Sequence, residues 1–337
     1  MKWINQKTVI LAVGIIAVVF CIYAICTRFD TGESDKKPQI TRAGAYQGSN
    51  FSAIYNKIIN DDYSKDAITS NKYRVTNINE IYFRPSHLNV LNNNFLSLDS
   101  LEEALKGGNI PRKYTNTPED TIISYFSVLQ QASNLTETKS GGCGTVGYAL
   151  LPYPIAYNFL SPVYKKDYDY DTYLKSFEGI GHINVVNLLP VYTDNNTAVY
   201  YLELELLEGS PDNSTAFYYY FGSIKLSNNN GIWQIDSLEI APEDFFCAPY
   251  HGWAHVAETF VDTVFGKWCN MIKKQYAPKM DDYKKTIAID GNDGKKYMFE
   301  FARLTNGTDL LINTYVKNGQ NWVPVYIDIE KCLKKQK

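Results

Sequence analysis

The sequence predicts an α+β fold hung from a single N-terminal transmembrane helix. Three observations predict it. An uncharged apolar run stands near the start, helical patterns gather from about Thr115, and four long strand-like runs follow them. Helices first and then antiparallel strands argue for helices packed on one face of a curved sheet.

The anchor comes first in the chain. Val9 to Ile25 reads VILAVGIIAVVFCIYAI, without charge or proline. Extended by Thr8 and Cys26 it makes roughly 28 Å of helix at about 1.5 Å per residue, which matches a bilayer core. A buried core helix would show a polar face, and this run has none. A cleaved signal needs small residues at its end, where this run has Cys21-Ile22-Tyr23-Ala24-Ile25-Cys26. A bacterial lipoprotein needs a small residue before the modified cysteine, but Phe20 and Ile25 precede Cys21 and Cys26. The run therefore reads as an uncleaved signal-anchor. Lys2 and Lys7 on one side, against Arg28 and a mixed-charge stretch on the other, place the N-terminus in the cytoplasm. The bulk of the chain is then extracytoplasmic, held to the cell membrane through residues 9–26.

The 337 residues divide accordingly. Residues 1–8 form a short cytoplasmic tail, 9–26 the anchor and 27–49 a polar linker with Pro38 and several glycines. Residues 50–114 are a mixed lead-in. There Asp99-Ser100-Leu101-Glu102 resembles a capping box, and Gly107-Gly108 closes the short helix.

The core is 115–241. Thr117 can cap a helix with Pro118 in its first turn, and Ile122, Ile123, Phe126 and Leu129 carry it to about Asn134. Further helical stretches surround Ile155 to Leu160 and run from an Asp171 cap to Phe177. The strands are Ile183–Tyr192, Ala198–Leu207, Ala216–Leu226 and Gly231–Ile240, joined by turn-forming segments such as Asp194-Asn195-Asn196 and Asn228-Asn229-Asn230-Gly231.

Residues 242–337 hold an amphipathic helix, Trp253 to Ile272, with Ala257, Phe260, Val261, Val264, Trp268 and Met271 on one face. A small β-meander follows, Thr286–Ile289, Tyr297–Leu304, Leu310–Val316 and Trp322–Ile327, which either extends the main sheet or stands alone.

The element order of the core resembles the NTF2-like (cystatin-like, cone-shaped) superfamily. The closing run Gly231-Ile232-Trp233-Gln234-Ile235-Asp236-Ser237-Leu238 is similar to that superfamily's last strand. The resemblance covers somewhat over a third of the chain. It implies a concave sheet offered to a small ligand, a peptide or an envelope partner. The superfamily hosts isomerases, dehydratases, secretion components and plain binding modules, so fold alone does not choose among them.

The net charge of −3 offers no electrostatic case for nucleic acid. The sharpest constellation for chemistry is His251, His255, Glu258 and Asp262. On a regular helix these fall within roughly 60° of one another, and imidazole with carboxylate suits zinc. Cys247 lies just upstream. The competing reading is a solvated polar face, and the His-Gly-Trp-Ala-His pair lacks the glutamate of zinc peptidases.

Gly142-Cys143-Gly144-Thr145-Val146-Gly147 matches a dinucleotide fingerprint, but Pro152 and Pro154 follow where an unbroken helix is required. It reads as a flexible connection. Cys143 is a structural cysteine in the first instance, or a nucleophile with His182 or His251 as base. Cys143, Cys247, Cys269 and Cys332 allow two disulfides in three connectivities, with Cys143–Cys247 preferred. Asp290 to Glu300 has Lys295 where a calcium loop needs glycine. No catalytic residue is assigned. A binding or accessory module is expected, with an extracytoplasmic hydrolase or isomerase as the alternative.

Overall fold

The computed structural model describes residues 90–92, 110–140, 148–243 and 252–334. The anchor, the linker and nearly all of the 50–114 lead-in lie outside them. Among the described residues no helix is long and apolar enough to cross a membrane.

The chain is mixed α+β, with two antiparallel sheets. Among the described residues four short α-helices precede the first: α1 (Pro118–Leu129), α2 (Pro152–Tyr157), α3 (Pro162–Asp167) and α4 (Tyr170–Lys175). Thr117 caps α1 as expected, its hydroxyl oxygen accepting the Asp120 N–H at 3.0 Å. Two caps differ from expectation. Asp169, not Asp171, caps α4. Ser161 caps α3, a helix the periodicity does not announce because it is only six residues long.

The first sheet is a meander in the order β1-β2-β3-β4, made of Ile180–Thr193, Thr197–Gly209, Thr215–Asn229 and Ile232–Pro242. Asp194 builds the first turn by accepting the Asn196 and Thr197 N–H groups. Asn230 and Gly231 take φ of 56° and 80° in the β3–β4 turn, the left-handed geometry these residue types tolerate.

Strand alternation sorts the side chains of β2. Ala198, Tyr200, Leu202, Leu204 and Leu206 face the helices and join a core with Ile122, Phe126 and Leu129 of α1. Burying each such large side chain stabilises the fold by about 1.5–3 kcal/mol. A bulge between Val185 and Asn187 shifts the alternation of β1, so that Ile183 and Val185 face the helices before it and Leu188 after it.

Both sheet edges are covered. Residues 91–92 pair with Val185 on β1, while Trp233 and Ile235 of β4 donate to the Thr115 and Phe159 carbonyls. Asn92 reinforces its edge twice, its Oδ1 accepting from Val185 N and its Nδ2 donating to Phe126 O.

The expected helix from Trp253 to Ile272 is corrected in form. It is a 3-10 turn (Gly252–His255), an extended break at Val256, a short α5 (Ala257–Phe260) and a π-helical stretch (Val261–Trp268). Its apolar face is as expected: Ala257, Val261 and Val264 are buried, and Phe260, Trp268 and Met271 pack beside them.

The C-terminal strands form their own sheet, in the order β10-β9-β8-β7-β5 with β6 also on β7. They are β5 (Ile272–Gln275), β6 (Lys279–Asp281), β7 (Lys284–Gly291), β8 (Lys296–Arg303), β9 (Asp309–Asn318) and β10 (Asn321–Pro324). Ile287, Ile289, Phe299 and Phe301 meet the π-helical stretch, where Phe265 stacks on Phe299 at 4.1 Å. A last helix, α6 (Ile329–Lys334), is stapled to the end of that stretch by the Cys269–Cys332 disulfide.

The two sheets meet through the face of β1–β3 turned away from the helices. Leu189, Val191, Val199, Tyr201 and Phe221 pack there against Ala302, Leu304 and Ile312.

Candidate functional site

The hollow between helices and first sheet is largely filled. What remains is a cavity of about 40 Å³ lined chiefly by Tyr125, Phe126, Tyr164, Phe177, Leu204 and Leu206. Such a space is small and apolar, as in a packed core, and too small for a drug-sized ligand. Above it the tyrosines close over one another, with the Tyr125 and Tyr173 hydroxyls 3.2 Å apart. Burial pushes both phenols well above their ordinary value, so they stay neutral hydrogen-bonding groups.

The tyrosine-rich strands are used on both faces. Tyr200 turns inward and donates to Glu119 on α1, Tyr201 packs in the seam between sheets, and Tyr218 is exposed.

The polar residues with the most at stake lie on the second face of β2. Leu202-Glu203-Leu204-Glu205-Leu206 sends its leucines to the helices and its glutamates outward, yet both glutamates are 0% exposed. Glu205 is fully engaged. Asn184 Nδ2 donates to its Oε1 at 3.2 Å, Tyr219 OH donates to its Oε2 at 2.8 Å, and Gln130 fixes Asn184 through a 2.6 Å bond.

Glu203 and Glu243 form a pair. Thr305, in the β8–β9 turn of the second sheet, fastens them together. Its N–H donates to Glu203 Oε1 at 2.8 Å, and its hydroxyl donates to Glu243 Oε2 at 3.3 Å. The Glu243 carboxyl is pushed up to about 10 by burial first and then by the charge of Glu203 within hydrogen-bonding reach. Burial, and after it those same two carboxyls, raises the Tyr201 phenol. The Leu-Glu alternation was the available signal for this cluster. Alone it describes a solvated face, and only the second sheet turns that face into an interior.

A second charged cluster ties the C-terminal sheet to α5. Lys285 Nζ lies 2.7 Å from Glu258 Oε2 and 2.9 Å from Asp309 Oδ2, and Arg303 Nε lies 3.0 Å from Asp309 Oδ1. Asp309 Oδ2 also accepts the Ala257 N–H at 3.0 Å, at the N-terminus of α5. Every charge in it faces an opposite one, which marks a structural network.

The proposed metal stripe is distributed differently from its drawing on one regular helix. His251 and Cys247 lie outside the described residues. His255 sits in the 3-10 turn, cut off from Glu258 by extended Val256. Glu258 is taken by Lys285, and Asp262 by Lys267 at 2.9 Å, an i,i+5 pair that the π-helical winding aligns. Among the described residues no three His, Cys, Asp or Glu side chains are placed to share a metal.

His182, considered as a base for Cys143, is buried on β1. Burial lowers it to about 4 against hydrogen bonds with Asn184 and the Gln130 backbone, so it is neutral. Cys143 and its glycine loop lie outside the described residues. Cys269–Cys332 belongs to the one connectivity that leaves Cys143 and Cys247 for each other.

No family model matches this chain, and neither does any curated protein or solved structure.

Proposed function

We propose that the chain is a membrane-anchored, extracytoplasmic binding or accessory module built on an NTF2-like core, oriented with residues 1–8 in the cytoplasm. The Cys269–Cys332 disulfide carries the placement. Such bonds persist in oxidising compartments and are rare in the cytosol. Together with the apolar run from Val9 to Ile25 it favours a folded mass outside the membrane. The helix-then-meander order supports the NTF2-like reading.

For binding, the surface matters more than the filled hollow. Tyr148, Leu150 and Leu151 are 57%, 46% and 64% exposed in one turn before α2. That turn is held rigidly, with Tyr148 N donating to Gln131 O and Ser133 N donating to Ala149 O. A fixed apolar knob of this kind suits an envelope partner.

The test has two readouts in intact cells. A membrane-impermeant thiol reagent, applied after mild reduction, labels Cys269 and Cys332 if the reading holds; labelling only after lysis sinks the placement. A photo-crosslinker at Leu151 yields a discrete partner adduct, and its absence removes the binding role for this turn.

The enzyme alternative draws on the paired carboxyls Glu203 and Glu243, both within reach of Thr305.

A further inference from the structure

Two carboxyl groups in contact inside a protein cannot both ionise unless something positive lies with them: a proton or a metal ion. The Glu203–Glu243 pair is such a contact. It sits where three parts of the chain converge: the middle of β2, the end of β4 and the β8–β9 turn that carries Thr305.

A separate observation points the same way. Asn187 is the Cα partner of Glu203 across β1 and β2, so its side chain lies on the same face beside it. It is 1% exposed, and its Nδ2 has no hydrogen-bond partner. A buried amide donor left without a partner costs about 1–3 kcal/mol. Turning the amide over exchanges its nitrogen for its oxygen, a ligand for a hard cation, and the two are interchangeable in such an assignment.

We propose that Glu203, Glu243, the Thr305 hydroxyl and the Asn187 amide oxygen hold a divalent cation of the calcium or magnesium class in the seam between the two sheets. The donor set is all oxygen, with no sulfur or imidazole, which selects hard cations over zinc or copper. Two carboxylates balance the double charge. Glu203 is fully buried while Glu243 is half-buried, so an ion enters past Glu243. The cation replaces the shared proton, and it binds strands of the first sheet to a turn of the second.

The full chain in detergent tests this by melting at neutral pH in chelator, in millimolar calcium and in millimolar magnesium. The wild type is expected to melt several degrees higher with at least one cation, and equilibrium dialysis to show one ion per chain. Glu243→Gln keeps the shape and neutrality of the protonated carboxyl but cannot ionise to meet a cation. It is expected to melt in chelator close to the wild type and to lose the response to cation. Asn187→Ala weakens the response without abolishing it. An unchanged wild-type melt in both cations leaves a shared proton as the answer and overturns the proposal. A Glu243→Gln protein that responds like wild type places the ion elsewhere and overturns it equally.

Discussion

The two sheets of this protein are stabilised in opposite ways. The first buries one face under α1 to α4, with a continuous apolar core from Ile122 to Ile235 and both edges covered by neighbouring chain. The second has a smaller core, built on Phe265, Phe299 and Phe301, and adds a disulfide and a buried ionic network. The difference follows from area. A small core buries too little apolar surface to offset the entropy of ordering the chain, and cross-links supply the remainder. Charge divides similarly: the final stretch from Lys267 to Lys337 carries fourteen Lys and Arg against eight Asp and Glu.

The largest expected break is at Asp309. Its side chain is 0% exposed and faces Lys285, Arg303 and the Ala257 N–H at once. Asp309→Ala leaves buried Lys285 short of a partner and opens the N-terminus of α5. Removing one member of a buried pair costs about 3–5 kcal/mol. Chemical denaturation should show that loss, with hydrogen exchange placing it in β7 to β9. A loss spread evenly over both sheets would mean the second does not depend on its ions.

Next is the staple. Cys269–Cys332 spans a sequence separation of 63 residues. Constraining a loop of that size in the unfolded chain stabilises by about 2–4 kcal/mol. Cys269→Ser should lower the unfolding free energy by that amount and expose the apolar residues of the C-terminal segment, Val325, Ile327 and Ile329, which pack on the second core. Dye binding to exposed apolar surface reads it. No change would show that α6 docks by packing alone.

The contrast also explains what the sequence could reveal. The first sheet was legible because its signals are local. Leu-Glu alternation marks β2, long apolar runs bounded by turn residues mark the other strands, Asp194 and Asn230-Gly231 mark turns, and Thr117-Pro118 marks the helix start. The second sheet hides more. Ile272-Lys273-Lys274-Gln275 has no strand pattern, and β5 exists because β7 offers it an edge. The 252–268 stretch has helical periodicity but changes winding twice, so a stripe drawn at a constant angle per residue fails beyond Val256. Beyond the Leu-Glu alternation of β2, the Glu203–Glu243–Thr305 seam was not legible. Its three members are separated by 40 and 62 positions, and their burial depends on a sheet that follows them in the chain.

A gentler way to sharpen the comparison is pH. The Glu243 carboxyl lies at about 10 in the folded chain against an ordinary 4.5, raised by burial and by Glu203. The folded state therefore holds a proton that the unfolded state gives up. That stabilisation is complete below the ordinary value and declines as pH rises through the window towards about 10. In chelator, the midpoint for the wild type should fall over this range, and Glu243→Gln should flatten the slope. Solvent at the half-buried Glu243 keeps the slope shallow. Saturating cation should flatten it too, because the ion then replaces the proton.

The smallest effect expected is at the start of α1, and it isolates the first sheet from the second. Thr117 satisfies a backbone donor that the first helical turn would leave unpaired, the Asp120 N–H. Its backbone carbonyl also accepts from the hydroxyl of Thr121, which donates to Trp233 O on β4 as well, so the cap and the sheet edge share one small network. Thr117→Ala keeps the carbonyl and loses the side-chain cap, a cost of about 1 kcal/mol. Thr117→Ser restores it. Because the buried residues of α1 belong to the first core, the loss should appear in exchange rates of α1 and β4 and leave Phe299 and Phe301 on β8 unchanged. If β8 loosens by the same amount, the two sheets unfold together, and the seam at Glu203 and Thr305 is the coupling to test next.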